Sequence, residues 1–257
     1  MEKVLAIALT TYRESIRGKA LYSILLFALL MLIIALFFGS ITIGDQVIVI
    51  KDFGLFATSL FSVAFAVISG TALLSKELAR KTIYNILSKP VSRSAFLWGK
   101  FLGLFATTTV MIVLMALGLT IFLSIYQGAV DTSLFAAYPY QILELAIVCA
   151  TAIFFSSILV TPSLSGMLTF AIFLAGRSVD YILILLAKLE LPDPVEYLLR
   201  GVYWILPHLT RLTVSDRVVF GEAIPSSHLL WSSAYVAGYC VALLIISSYF
   251  FQKREFN

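Results

Sequence analysis

Long apolar runs alternate along the chain with short polar interruptions that hold its charge. Residues 20–44, 53–75, 101–130 and 223–252 contain no charged side chain, over 25, 23, 30 and 30 positions. A helix crosses roughly 30 Å of hydrocarbon with about 20 apolar residues, so each run predicts one transmembrane span. A fifth charge-free run, residues 145–176, covers 32 positions but is interrupted by "SSILVTPSLSG". Pro162 lacks a backbone donor and turns Thr161 away from α geometry, while the flanking Ser and Gly suit a tight turn. The run therefore predicts two helices, near 139–160 and 163–180, and six spans in all. One helix kinked at Pro162, as membranes tolerate, is the alternative.

Ahead of the first run, "MEKVLAIALTTYRESIRGKALY" places Leu5, Leu9, Tyr12 and Ile16 at helical spacing, with Lys3, Arg13 and Arg17 largely opposite. That pattern predicts an amphipathic helix over residues 1–19 lying in the membrane interface, with a plain basic flank of the first span as the alternative. Residues 45–52 and 127–138 read as short polar loops. Between 181 and 228, "YILILLA" and "VEYLLRGVYWILP" are too short to span and are broken by Pro192, Pro194 and Pro207. They predict short re-entrant or interfacial helices at the outer face, where Tyr197, Tyr203 and Trp204 suit a headgroup belt.

The interruption at 76–93 is different, because it has a helical pattern of its own. Ala79, Ile83, Ile86 and Leu87 share one face, and Lys76, Glu77, Arg80, Lys81, Asn85 and Ser88 cover the other. Pro90 ends that helix, and Ser92 is placed to cap the next. Gly99 and Gly103 then form a small-xxx-small pair that permits close helix packing. By pattern alone, the loop is either a charged topological anchor or a stiff lever between two spans.

Composition places these helices in a bilayer. With 257 residues, 61% hydrophobic and 12% charged, and a mean hydropathy of +1.01, the chain is no ordinary soluble domain. Charge supplies the orientation. With six spans and the N-terminus inside, the cytoplasmic side holds Lys3, Arg13, Arg17, Lys19, Lys76, Arg80, Lys81, Lys89, Arg93, Lys100, Lys253 and Arg254, which are 12 of the 18 basic residues. Five spans would strand "QKREFN" outside, so the bias of basic residues towards the inside predicts both termini in the cytoplasm. The fold class expected is an all-α integral membrane protein of six transmembrane helices. The net charge of +4 reflects that orientation and anionic lipid headgroups, not a nucleic-acid partner. The first apolar run is far longer than the roughly 7–15 residues of a signal peptide and lacks an A-x-A site, so it is expected to stay as an anchor. Cys149 and Cys240 each fall inside a span, which offers neither a disulfide framework nor a thiolate metal site.

The stretch "KELARKTIYNILSKPVSRSAFLWGKFLG", residues 76–103, closely resembles the loop between the second and third spans of ATP-binding-cassette (ABC) permeases of the type-2 exporter superfamily. There a Glu-rich start, "T-I-x-x-I/L-L-S-K-P-V-S-R" and "G-K-x-L/F-G" recur. "TTYRESIRGKALYSILLF" is similar to that family's N-terminal interfacial helix, and "WILPHLTRLTVSDRVVFG" and "FFQKREF" resemble it more weakly. The resemblance implies one transmembrane domain over residues 1–257, a non-catalytic permease subunit in the inner membrane. It would couple ATP hydrolysis by a separate ATPase to substrate export or to mechanical work on a periplasmic partner. Lys76, Glu77, Arg80, Lys81, Thr82, Asn85 and Lys89 would belong to a coupling helix docked on that ATPase, with Pro90, Ser92 and Arg93 at its elbow. Arg13, Glu14 and Arg17 would make a second contact. The partners implied are two ATPase copies, which would bind ATP and Mg, a second permease copy in a homodimer, and membrane lipids. No cofactor is expected in this chain. No G-x4-G-K-[ST] occurs in it, since Gly18-Lys19 runs into Ala20 and Gly99-Lys100 into Phe101.

Other chemistry is weaker. "PSSH" at 225–228 resembles the P-S-G-H loop of membrane lipid phosphatases, but the S-R-x5-H-x3-D and K-x6-R-P motifs that would accompany it are absent. "SLSG" at 163–166 offers a serine for intramembrane proteolysis, yet neither His208 nor His228 lies deep in a span. The histidines and methionines show no metal-ligand spacing. Arg177 and Asp180, three apart, and Glu144, six residues into its span, either line a polar path or sit at the outer boundary. Arg177 lies 15 steps from Pro162, roughly 23 Å at about 1.5 Å per residue, which favours the boundary. A stand-alone membrane protein, such as a lipid-modifying enzyme or a scaffold, is the alternative class. The smooth spans would suit a lipid, a hydrophobic drug or a peptide as cargo.

Overall fold

In a computed structural model of the chain, residues 2–17, 19–41, 46–79, 92–128, 131–159, 161–188, 192–222 and 224–253 are described, and every regular element among them is helical. The helices are α1 (Glu2–Arg17), α2 (Lys19–Ile41), α3 (Gln46–Ala79), α4 (Arg93–Gln127), α5 (Tyr138–Ile158), α6 (Pro162–Arg177), α7 (Val179–Lys188), α8 (Asp193–Ile205), α9 (Ser215–Val219) and α10 (Ser226–Lys253). Single 3-10 turns occur at Ser133–Ala136 and Leu209–Leu212. Among the described residues, Gln46–Leu73, Arg93–Gln127, Ser133–Ile158 and Ser227–Lys253 are long and apolar enough to cross a membrane. The pair α6 and α7, bent by 53°, makes a fifth if it counts as one span, and α2 carries a shorter apolar stretch at Ile24–Ile34. The all-helical class read from the sequence is observed, with four or five helices among the described residues long and apolar enough to cross a membrane where six spans were expected.

Local chemistry sets the helix ends. Ser92, extended at ψ 145°, accepts a hydrogen bond from the Ala95 N–H and caps α4, as its position before the helix predicts. Gly128 closes α4 in the left-handed region at φ 72°, which costs glycine no Cβ clash. Pro162 begins α6 after the chain passes through extended Leu159 and Thr161. Proline is tolerated there because the first N–H of a helix has no partner to lose. The chain reverses at this point instead of kinking, so α5 and α6 form an antiparallel hairpin.

We call the end where α3 finishes and α4 begins the loop end, and the opposite one the far end. α5 is central, packed on α3, α4, α6 and α10 around Leu104, Ile112, Leu145, Ile153 and Leu244. α2 lies on α3 and α4 through Ala28, Phe61, Phe65 and Met111. Neutral polar contacts cross this packing, among them Thr108 Oγ1 with Cys149 Sγ at 3.7 Å and Ser247 Oγ donating to Ser157 Oγ at 2.9 Å. Inside a membrane such bonds contribute about 0.6 kcal/mol each, so packing holds the bundle and they refine its register.

The Leu5 and Leu9 side chains of α1, on the stripe expected to face the membrane interface, are 72% and 48% exposed. The opposite side of α1 packs on α4, because Gly99 and Gly103 let the two backbones approach. A Cβ on Gly103 would lie 2.6 Å from the Ala8 carbonyl oxygen, and one on Gly99 would lie 2.7 Å from Ile7. One sequence expectation is corrected: Arg177 and Asp180 do not share a helix face. α6 ends at Arg177, Ser178 leaves helical geometry at ψ 7°, and Asp180 belongs to α7. Beyond that bend, α7 buries only Val179, and α8 buries none of its residues. These are short helices lying outside the core, as the broken apolar segments of 181–228 lead one to expect.

Candidate functional site

Two arginine-centred arrangements stand out, one at each end of the bundle. At the loop end, Arg93 is the first residue of α4, and its Nη1 donates to the carbonyls of Phe251 and Gln252 at 3.2 and 2.9 Å. Those carbonyls belong to the last described turn of α10. Phe96 stacks on Phe251 with centroids 6.1 Å apart and planes 14° off parallel, and Lys100 Nζ lies 5.6 Å over Phe96. Lys100, Phe96 and Phe251 are buried. A small aromatic and cationic joint therefore fastens the start of α4 to the end of α10. Beside it, α1 leans on Gly99 and Gly103, and an apolar groove of about 470 Å³ opens between Val4, Leu5, Trp98 and Leu102.

The loop that joins α3 to α4 meets this joint. The α3 backbone stays helical through Lys76 and Glu77 to Ala79, and Ser92 and Arg93 take up the chain on the other side. Arg80, Lys81, Thr82, Asn85, Lys89 and Pro90 lie outside the described residues, as do the side chains of Lys76, Glu77 and Arg17. Arg13 and Glu14 are exposed on α1. Ser92 and Arg93 thus have assigned partners within the chain itself, one as a cap and one as a clamp on α10.

Towards the far end, the carboxylate of Glu144 receives two bonds from Arg177, Nε to Oε1 at 2.7 Å and Nη2 to Oε2 at 3.0 Å. Ser59 completes the set, accepting from Arg177 Nη2 at 2.9 Å and donating to Glu144 Oε2 at 3.2 Å. Glu144 is 3% exposed, and the Arg177 side chain is 25% exposed, its guanidinium 5.2 Å from the Phe173 ring. One turn away, Gln141 Nε2 donates to the Leu55 carbonyl at 3.0 Å and its Oε1 accepts from Thr58 at 3.2 Å. A planar guanidinium paired in this forked way with a carboxylate gains geometric definition as well as charge assistance. The cluster ties α3, α5 and α6 together, with Asp180 outside it.

Ser59, Thr58 and Gln141 were not among the candidates drawn from the sequence, and neither was the pairing of Glu144 with Arg177. A signal for the pairing did exist. In an antiparallel hairpin, residues equidistant from the turn meet, and Glu144 and Arg177 flank the 159–161 reversal at nearly equal separation. The histidines are occupied by tyrosines: His228 Nδ1 lies 3.1 Å from the Tyr140 hydroxyl, and the His208 backbone N–H donates to the Tyr235 hydroxyl at 3.0 Å. Outside the spans, Asp131 pairs with Lys51. Burial alone would raise its carboxyl, but the bonds from Lys51 and Ser133 outweigh that and hold it below the usual range. Among the described residues no group of three His, Cys, Asp or Glu side chains is arranged to hold a metal.

What the chain offers is a bundle of helices, a charged loop joined to two of them and a buried ion pair. No curated protein matches it. A family model described as "ABC-2 family transporter protein" matches residues 5–256, so the chain belongs to that family and is a membrane permease subunit of an ABC transporter.

Proposed function

We propose that this subunit is half of an exporter-type transporter, with six spans, both termini cytoplasmic, and residues 76–93 docked on a separate ATPase. The observation that carries the reading is the length of the two helices flanking that loop. α3 and α4 run for 34 and 35 residues. At about 1.5 Å per residue each exceeds roughly 50 Å, well beyond the 30 Å or so of hydrocarbon. Continuous helices of that length can present the loop outside the membrane and pass force along it. α1 and the end of α10 both lie at the loop end, which suits two termini on one face.

In this reading α2 supplies a first span and the α6–α7 pair a fifth. Glu77, Arg80, Thr82, Asn85 and Lys89 face the ATPase, Pro90 to Arg93 form the elbow, and Arg13, Glu14 and Arg17 add the contact from α1. A second copy of the chain completes the pathway in the inner membrane, and two ATPase copies bind ATP and Mg. The work delivered is passage of an apolar cargo or force on a partner across the membrane. Purification with detergent tests this directly: a nucleotide-hydrolysing chain is expected to copurify. Cysteines placed at Ser92 and Ser215 are expected to label from opposite sides of the membrane. A pure permease without such a chain, or labelling of both positions from one side, would overturn the reading.

A further inference from the structure

Helix α10 joins the two ends of the molecule as one unbroken rod. Its last turn is held by Arg93 and Phe96, at the elbow of the 76–93 loop. In its other half, Tyr235 accepts the His208 backbone N–H at 3.0 Å, and Tyr239 donates to the Ile205 carbonyl at 3.2 Å. His208 also lies edge-on to Tyr203, with ring centroids 4.6 Å apart. These contacts grip the chain where α8 ends and the next turn begins. α8 itself buries no residue, so its position depends on such attachments at its ends.

We infer that α10 transmits movement of the 76–93 loop to α8 at the far end, with Arg93 and Tyr235 as the positioning residues at its two grips. The inference rests on the proposed docking of that loop on an ATPase. Magnitudes support it. The 28 residues of α10 contain no proline to absorb a push. Helix shifts that accompany switching are typically about 1–2 Å. A hydrogen bond near 3.0 Å is spent once it lengthens by roughly 0.5 Å, so a shift of ordinary size remakes the Tyr235 contact. α3 provides a rival route, since it reaches the far end against α9. The two routes differ in a measurable way. Tyr235 and Phe251 are 16 steps apart, roughly 24 Å along the helix. Substitutions that far apart act additively unless a common element couples them.

The test uses the assembled complex in lipid vesicles, with Tyr197→Cys on α8, where the native side chain is 76% exposed, as a probe for a membrane-impermeant maleimide. Labelling rates are compared with and without a non-hydrolysable ATP analogue at equal amounts of bound ATPase. The expected result is a nucleotide-dependent rate that is largely lost in both Arg93→Ala and Tyr235→Phe, with the double variant losing no more than either alone. Phe251→Leu, which leaves the loop's own residues intact, is expected to show the same loss. Additive losses, single variants that keep the full response, or a rate insensitive to nucleotide would overturn the inference. Shedding of the ATPase by Arg93→Ala would also overturn it, because Arg93 would then be a docking contact. Absence of an ATPase from the unmodified complex would instead overturn the functional reading beneath it.

Discussion

Arg93 and Arg177 both sit at the end of a helix, reach onto a neighbouring helix and lie close to phenylalanine, yet they are held by opposite kinds of acceptor. Arg93 donates to two neutral backbone carbonyls at the end of α10, and the bond to Gln252 is exposed to water. Arg177 donates to a carboxylate that is 3% exposed and has no other cation bonded to it among the described residues. The same side chain therefore acts as a replaceable clamp in one place and as an obligatory counter-charge in the other. The difference lies in what each arginine would leave behind.

That contrast ranks the expected effects on stability. Arg177→Ala strands a buried charge and should cost about 3–5 kcal/mol, the range for breaking one side of a buried pair. Thermal unfolding in detergent measures it. Replacing both partners, Glu144→Leu with Arg177→Met, should recover most of the loss, because matched apolar groups need no counter-charge. A single Arg177→Ala variant as stable as the parent would dissolve the comparison. Gly103→Val comes next. Its side chain would press on the Ala8 backbone, and overpacking of this sort costs about 1–3 kcal/mol. It should lift α1 off α4 and expose a cysteine placed at buried Thr11 to maleimide. Arg93→Ala should be the mildest in stability, about 1.5 kcal/mol, the low end of the range for hydrogen bonds to a charged group, because the Gln252 bond is exposed and no buried charge is stranded. Its consequence is expected in coupling instead, so a stability loss for Arg93→Ala equal to that for Arg177→Ala would erase the distinction.

Much of this architecture was legible in the sequence, for identifiable reasons. Charge-free runs locate spans because hydrocarbon excludes charge, Ser92 marks a helix start because its oxygen can accept an orphan N–H, and Pro162 marks a reversal because it cannot continue a helix. The ion pair was harder to see. Periodicity within one helix linked Arg177 with Asp180, whereas the true partner is 33 residues away on the other arm of a hairpin. The docking face of α1 was equally hard to see: its stripe of Leu5 and Leu9 is a property of α1 alone, while the face that packs on α4 is chosen by the glycines of α4. Local pattern reports what a helix can bury. The neighbouring helix decides what it does bury.

The most direct measurement concerns Glu77 and Arg80 in the loop at 76–93. Membrane level, ATPase copurification and transport-linked ATP hydrolysis are compared for Glu77→Ala, Arg80→Ala and the parent. If the loop docks in a groove of the ATPase, each change removes a charge that is desolvated on assembly, at a cost of about 2–5 kcal/mol. At about 1.4 kcal/mol per tenfold, assembly should weaken about 30-fold or more, or hydrolysis should continue uncoupled from transport. Membrane level should stay at the parent's value, because Lys76, Lys81, Lys89 and Arg93 preserve the charge bias. Parental values for assembly and coupled hydrolysis in both variants would reduce the loop to a topological anchor and contradict its proposed role.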